Sequence, residues 1–545
     1  MTPTMIRNPI LPGFNADPSI CRAGDDYYIA VSTFEWYPGV QIHHSRDLVN
    51  WRLVTRPLNR ASQLDMRGDP DSCGIWAPCL TYSDGLFWLV YTDVKRKSGS
   101  FKDAHNYVLT APSIEGPWSD PVYMNSSGFD PSLFHDDDGR KWHVNLLWDH
   151  RGRPSRFGGI VLQEYDPIEK KLVGPISNIF KGSPLGLSEG PHLYKRDGWY
   201  YLIVAEGGTG YSHAVTMARS RNLTGPYELH PDTHVITSRF HPDATLQRGG
   251  HGDFVETPDG ATYMVHLCSR PLPGLYRSVL GRETSIQKCV WGDDGWLRLE
   301  GEKFVPQDEV PAPVLPVHPF PAEPERYEFS PENGLPLAFQ WLRSPYPERL
   351  FSLTKRPGHL RLFGRESIGS WFEQSLVARR QTDFDYDAET EVDCDPTSHL
   401  QMAGLIAYYN RFAYHYLCVS QDEKAGRSLQ IFYCNGQWPN GMTMLGLDNP
   451  VSIPDGPVRL RVEVRGAALR FFYVKNGAWT RIGPVLDNSV LSDESGEGEQ
   501  SKITGSFVGI GNFTGAFVGM AAYDLGGLAM PADFSHFTYK NLPKE

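Results

Sequence analysis

The stretch DGLFWLVY, residues 84–91, places a tight turn ahead of an aromatic, apolar run, which is the signal of a β-hairpin. Four other stretches repeat it: GDDYYIAV (24–31), DGRKWHV (138–144), DGWYYLIV (197–204) and DGATYMV (259–265). Aligned on Tyr28, Trp88, Trp142, Tyr201 and Tyr263, the copies recur at intervals of 54 to 62 residues. Upstream of each anchor lies a second shared element. These are Asp17-Pro18-Ser19-Ile20, Ala77-Pro78-Cys79-Leu80, Asp130-Pro131-Ser132-Leu133, Gly190-Pro191-His192-Leu193 and His251-Gly252-Asp253-Phe254. A unit of this length holds about four strands, and five such units predict a five-bladed β-propeller. The first strand of each blade lines the axis, so the upstream elements should converge on one central pocket.

Outward from the repeat, the propeller should fill residues 1–303. The stretch 304–325, FVPQDEVPAPVLPVHPFPAEPE, carries prolines at 306, 311, 313, 316, 319, 321 and 324 and predicts a stiff, extended linker. From 326 to 545 strand patterns resume without the repeat, at 359–365, 405–409, 414–420, 429–434, 458–464 and 468–474. Alternation and short apolar runs there predict a two-sheet β-sandwich, jelly-roll or concanavalin-like. The composition suits an all-β chain: 14 Trp, 26 Tyr, 27 Phe, 53 Gly and 43 Pro among 545 residues favour strands and turns over long helices.

Lys and Arg number 52 against 64 Asp and Glu, a net charge of −12 that argues against nucleic acid or an anionic membrane as partner. No apolar run is long enough for a membrane-spanning helix. The opening MTPTMIRNPILPGFNADPS lacks the apolar core of a secretory signal. Eight cysteines without a CxxC pair predict buried thiols in a reducing cytoplasm.

Asp17, Trp76, Asp130, Glu189 and His251 stand at or beside the five upstream elements. Three carboxyls aimed at one axis raise one another's pKa, and such a cluster implies acid/base chemistry or a metal. The competing reading is plain turn chemistry, with Asp capping the turn. Two carboxyls about 6.5–9.5 Å apart admit a water beside a sugar, the layout for glycoside hydrolysis with inversion. A third can keep the acid protonated. The DDDG run at 136–139 lacks the spacing and closing Glu of an EF-hand and reads as the hairpin turn of the third blade.

Five segments then resemble glycoside hydrolase family 43, and within it the two-domain β-xylosidase branch: NPILPGFNADPSI (8–20), GIWAPCL (74–80), GFDPSLFHDDDGRKW (128–142), GLSEGPHLY (186–194) and LGRETSIQ (280–287). The likeness extends to FQWLRSP (339–345) and GNFTGAFVGM (511–520). The resemblance implies an exo-acting, inverting β-1,4-xylosidase on small xylo-oligosaccharides. It implies Asp17 as general base, Glu189 as general acid and Asp130 as the carboxylate that tunes the acid. Arg282 would bind sugar hydroxyls, Phe34 and Trp76 would wall the terminal-sugar pocket, and Phe513 would close it from the second domain. His251 would sit near a divalent cation, calcium, bound through water, with no cofactor needed for the chemistry. Bland readings stay open: core aromatics for Phe34 and Trp76, neighbouring Phe507 or Phe517 in place of Phe513, an ion pair for Arg282, a core histidine for His251. An α-L-arabinofuranosidase, alone or as a second activity, and a non-catalytic sugar-binding propeller remain as alternatives. Oligomeric state, dimer or tetramer included, is also open.

Overall fold

A computed structural model describes residues 5–542 except 154, 302, 437–440 and 497–511, so Phe507 and Gly511 lie outside the described residues. Each repeat forms one antiparallel four-stranded sheet with its strands in sequence order. The first blade is Ser19–Ala23, Asp26–Val31, Gln41–Ser45 and Arg52–Thr55, and the second is Gly74–Ser83, Leu86–Arg96, Asp103–Ala111 and Val122–Asn125. The third, fourth and fifth begin at Ser132–His135, Glu189–Arg196 and Gln247–Glu256. Asp-Gly turns join first to second strands in the second to fifth blades. At Asp84-Gly85 and Asp197-Gly198 both residues have positive φ (57° and 73°, 50° and 72°), the hand that matches the twist of a hairpin.

The ring is closed by the chain's start. Met5–Arg7 pairs with Glu309–Pro311, and Asn8 Nδ2 donates to the carbonyls of Ile286 and Gln307 at 2.8 Å each. The proline-rich stretch is therefore not a free spacer: its first part completes the propeller, and the rest is laid along the first blade. There the His318 amide donates to Asp47 (2.8 Å) and Arg52 stacks on Phe320 (4.7 Å).

The second domain is a sandwich of an eight-stranded and a nine-stranded antiparallel sheet. Their sequences differ because their surroundings do. In the eight-stranded sheet, Asp385–Asp393 and Val458–Arg465 alternate buried with partly exposed residues, as a one-faced strand should. In the nine-stranded sheet, Gln401–Asn410, Ala413–Asp422 and Phe517–Asp524 are buried almost throughout. One face covers the sandwich core and the other lies against the propeller. On that second face Tyr408, Tyr416, Phe517 and Tyr523 share a cluster with Phe14, Phe34, Trp36 and Trp76. The propeller also gives a strand to this sheet: Trp36–Tyr37, looped out of the first blade, pairs with Phe339–Leu342. The Trp36 ring stacks on Phe517, with centroids 3.6 Å apart and an interplanar angle of 11°.

Candidate active site

At the blade starts the backbone repeats a strained conformation. Asp17, Ala77, Asp130, Gly190 and His251, one per blade and equivalent in the repeat, all have positive φ, between 38° and 55°. A residue before proline normally favours extended backbone, and four of these five precede proline. Strain of this kind clusters where structure positions function. Here it turns each entering chain onto the axis. Asp17, Asp130 and His251 occupy the strained position itself, whereas Trp76 and Glu189 stand one residue earlier. The three carboxyls are thus not at one repeat position. In the fourth blade Gly190 takes the strained place, and a Cβ there would lie 2.9 Å from His251 Cε1.

Asp17, Asp130 and Glu189 are all buried. Asp17 Oδ2 accepts from Ser32 Oγ (2.6 Å) and its Oδ1 from Arg282 Nη1 (2.9 Å), with His251 Nδ1 at 3.7 Å. Burial pushes its carboxyl up, but Arg282, His251, Ser32 and His213 together outweigh burial and hold it below the usual aspartate range. Glu189 goes the other way: burial and the charge of Asp17 push it up to about 7, against the pull of Lys102 and Arg282. Asp130 is also pushed well up, by burial first and then by Glu189 and Asp17, while its Oδ2 accepts from the Gly190 amide (3.1 Å). Asp130 and Glu189 therefore titrate as a pair. One site holds a carboxylate kept ionised and, across from it, a carboxyl pair that keeps a proton near neutrality. That is the asymmetry acid/base catalysis requires.

Arg282 and Asp17 are joined by the ring closure. The Asn15 amide donates to the Arg282 carbonyl (2.8 Å), and Thr284 Oγ1 donates to the Asn15 carbonyl (2.7 Å). Arg282 also donates from Nη2 to the Phe513 carbonyl (3.0 Å) and stacks between the Phe34 and Phe513 rings, 5.3 and 5.4 Å from their centroids. The expected aromatic walls do meet. Phe34, Trp76 and Phe513 lie 5.8 to 6.0 Å apart, ring to ring, with Phe129 packed edge-on against Trp76 at 5.5 Å.

Sequence reasoning passed over Lys102. It sits in the loop between the second and third strands of the second blade. Its Nζ faces the rings of Trp76, Phe129 and Trp148 at 5.5, 5.3 and 4.5 Å, and burial lowers its pKa while Glu189 and Asp130 hold it up. The basic run VKRKSGSFK (94–102) was the available signal, but a run of charge usually marks a solvated surface.

His251 is buried, and burial lowers its pKa to about 4, so its imidazole is neutral, the form that ligates metals. Among the described residues no group of three or more His, Cys, Asp or Glu side chains forms a metal cage. A cation here would be held by one imidazole and its own water shell.

A family model described as glycosyl hydrolases family 43 matches residues 6–297, and one described as beta xylosidase C-terminal concanavalin A-like domain matches 326–540. The chain is 60% identical to a xylosidase/arabinosidase 43B of Humicola insolens, covering 98% of this chain and 97% of that one. It is 49% identical to a beta-xylosidase of Bacillus subtilis strain 168, covering 98% and 99%. The crystal structure of a xylan beta-1,4-xylosidase from Bacillus halodurans C-125 superposes with a TM-score of 0.93 at 52% identity, over 98% of this chain and 100% of that one.

Proposed function

The chain belongs to glycosyl hydrolase family 43, and from that membership and the divided protonation of its carboxyls we propose an exo-acting, inverting β-xylosidase that cleaves β-1,4-linked xylo-oligosaccharides from the non-reducing end. The observation that carries this reading is the pairing of an ionised Asp17 with a Glu189 whose pKa is raised to about 7, beside a box of three aromatic rings.

A terminal xylose enters the box formed by Phe34, Trp76 and Phe513. Arg282 donates to its hydroxyls while also orienting Asp17. Asp17 takes a proton from a water, whose oxygen bonds to the anomeric carbon from the face opposite the leaving sugar. The bond from that carbon to the glycosidic oxygen breaks as Glu189 hands this oxygen its proton. Xylose leaves with its anomeric configuration inverted. The proton taken by Asp17 and the one lost by Glu189 are exchanged with solvent before the next turnover, with Asp130 beside the acid as the carboxyl that tunes it. A non-catalytic sugar-binding propeller would have no use for two carboxyls held in opposite states.

No cofactor is needed for this chemistry. A calcium ion held through water by His251 would add positive potential beside Asp17, and chelation followed by calcium titration of activity tests for it. One side activity and a working compartment have specific support. The Humicola insolens relative is named for arabinosidase as well as xylosidase action, which supports α-L-arabinofuranosidase turnover in the same pocket. All eight cysteines are buried and unpaired, which supports the reducing cytoplasm as the working compartment. No helix among the described residues is long and apolar enough to cross a membrane.

The test is proton NMR of β-1,4-xylobiose hydrolysis, with an aryl arabinofuranoside as competing substrate. The newly released xylose should appear first as the α-anomer. The β-anomer first would mean a covalent route and would remove Asp17 from the role of base.

A further inference from the structure

The three aromatic walls come from three places: Phe34 from the first blade, Trp76 from the second, Phe513 from the sandwich. Arg282 ties the Phe513 carbonyl to the acid/base machinery, and a second set of bonds ties Phe513 to Trp76. Behind the walls lies a buried group the mechanism leaves unused. Glu35, 1% exposed, follows Phe34 directly and accepts the Ser72 amide on Oε2 at 3.0 Å. Ser72, also 1% exposed, has φ 58°, a conformation that L-residues adopt only when held. Its two acceptors, hydroxyl and carbonyl, serve the other two walls. Ser72 Oγ accepts the Phe513 amide, and the Ser72 carbonyl accepts Trp76 Nε1, both at 3.1 Å.

The sandwich grips the same point. The Arg343 amide donates to the Glu35 carbonyl (2.9 Å), its Nη2 to Asp71 Oδ1 (2.7 Å) and its Nε to the Asp69 carbonyl (2.7 Å). Arg411 Nε reaches Asp71 Oδ2 at 3.1 Å. Lys97 lies over the Phe513 ring, 5.0 Å from its centroid. Burial raises the Glu35 carboxyl to about 7, with Arg343 pulling it down and Asp71 pushing it further up.

We propose that Glu35 is a positioning residue for the sugar pocket: through its bond to the Ser72 amide it fixes the residue to which both Trp76 and Phe513 are bonded, and so sets how tightly the terminal sugar is held. The proposal rests on Phe34, Trp76 and Phe513 being the walls of that pocket. Glu35 touches neither sugar nor reacting atoms. Its loss should weaken the sugar in ground state and transition state alike, so the damage belongs in binding rather than in turnover.

The experiment compares Glu35→Ala, Glu35→Gln and Ser72→Ala in the full chain, with Phe513→Ala as the reference for the pocket. It records KM and kcat on xylobiose, the inhibition constant for xylose, the pH limbs of kcat/KM, and Tm. Glu35→Ala strands a buried amide and should raise KM and the xylose inhibition constant together, by about tenfold, with both pH limbs in place. Glu35→Gln keeps the acceptor and should return both constants to within about threefold of the parent. Ser72→Ala removes only the Phe513 tether and should give a smaller rise in both. Parental constants in Glu35→Ala would overturn the proposal, as would a Glu35→Gln variant as impaired as Glu35→Ala. If Glu35→Ala does not fold, Ser72→Ala decides, and an unchanged xylose inhibition constant in it overturns the proposal. Parental xylose affinity in Phe513→Ala would instead show that the reading of the pocket walls is wrong.

Discussion

Two carboxyls of ordinary chemistry are driven apart here by their neighbours, and the separation has a measurable sign. Asp17 works ionised, so activity should fall as pH drops through its pKa, which its charged partners hold below 3.8. Glu189 works protonated, so activity should fall as pH rises through about 7, as a property of the pair it forms with Asp130. The pH profile of kcat/KM on xylobiose should therefore stay high through the acidic range and decline around neutrality. Glu189→Gln should abolish that alkaline limb and cost about 10²–10⁴-fold in kcat on xylobiose. On an aryl xyloside with an activated leaving group the loss should be smaller, because that oxygen scarcely needs a proton. Equal losses on both substrates would take Glu189 out of the acid's role. The sequence named these residues as candidates, because the repeat aligned them and the resemblance assigned them, and the fold brings Asp17, Arg282 and His251 together. Their protonation was not legible there, since it depends on Arg282, His251 and Lys102, which lie far from one another in sequence.

Elements add what single residues cannot. The Asp-Gly turns and apolar runs defined the hairpins because local chemistry alone dictates them. The strained step at each blade start was hidden, because proline predicts the opposite backbone for the residue before it. The meeting of the Arg282 loop with the Phe513 loop was equally hidden, since it joins elements of two domains. Gly281, at φ 68°, shows how close that meeting is: a Cβ there would lie 1.8 Å from the Thr514 carbonyl oxygen. Backbone cannot yield as a flexible side chain does. Gly281→Ala should therefore push the Phe513 loop off the pocket, lower kcat/KM on xylobiose by about tenfold or more, and lower Tm as well. Phe513→Ala should cost kcat/KM about as much while moving Tm less, because that ring is only half-buried. Kinetic loss in Gly281→Ala without any change in Tm would mean the two loops are not pressed together.

For the whole molecule the question is why a propeller that carries every acid and base is joined to a sandwich. The sequence predicted a five-bladed propeller followed by a β-sandwich, and the fold has both. It could not show that the sheet formed by 401–410, 413–422 and 517–524 is covered on both sides. Continuous apolar runs report burial, not what does the burying. The structure supplies the answer in the cluster of Tyr408, Tyr416 and Phe517 with Phe14, Phe34 and Trp36, and in the propeller strand that joins the sandwich sheet. Two buried ion pairs cross the same boundary: Arg343 with Asp71 at 2.7 Å, and Arg248 with Asp493 at 3.0 Å. A surface of this kind resembles a divided core rather than a domain contact. A polypeptide ending at residue 321 keeps the Glu309–Pro311 strand that closes the ring, but it exposes Phe14, Trp36 and an unpaired strand edge at Trp36–Tyr37. It also leaves Asp71 without its partners Arg343 and Arg411. That propeller should be recovered mostly as aggregate, and its soluble fraction should have less than about one hundredth of the full chain's kcat/KM on xylobiose, a loss of about 2.7 kcal/mol of transition-state stabilisation. Size-exclusion chromatography and a xylobiose assay check both points. A monomeric, fully active product would show that the propeller holds its pocket without the sandwich, and that Phe513 and Arg343 contribute nothing to the sugar's binding.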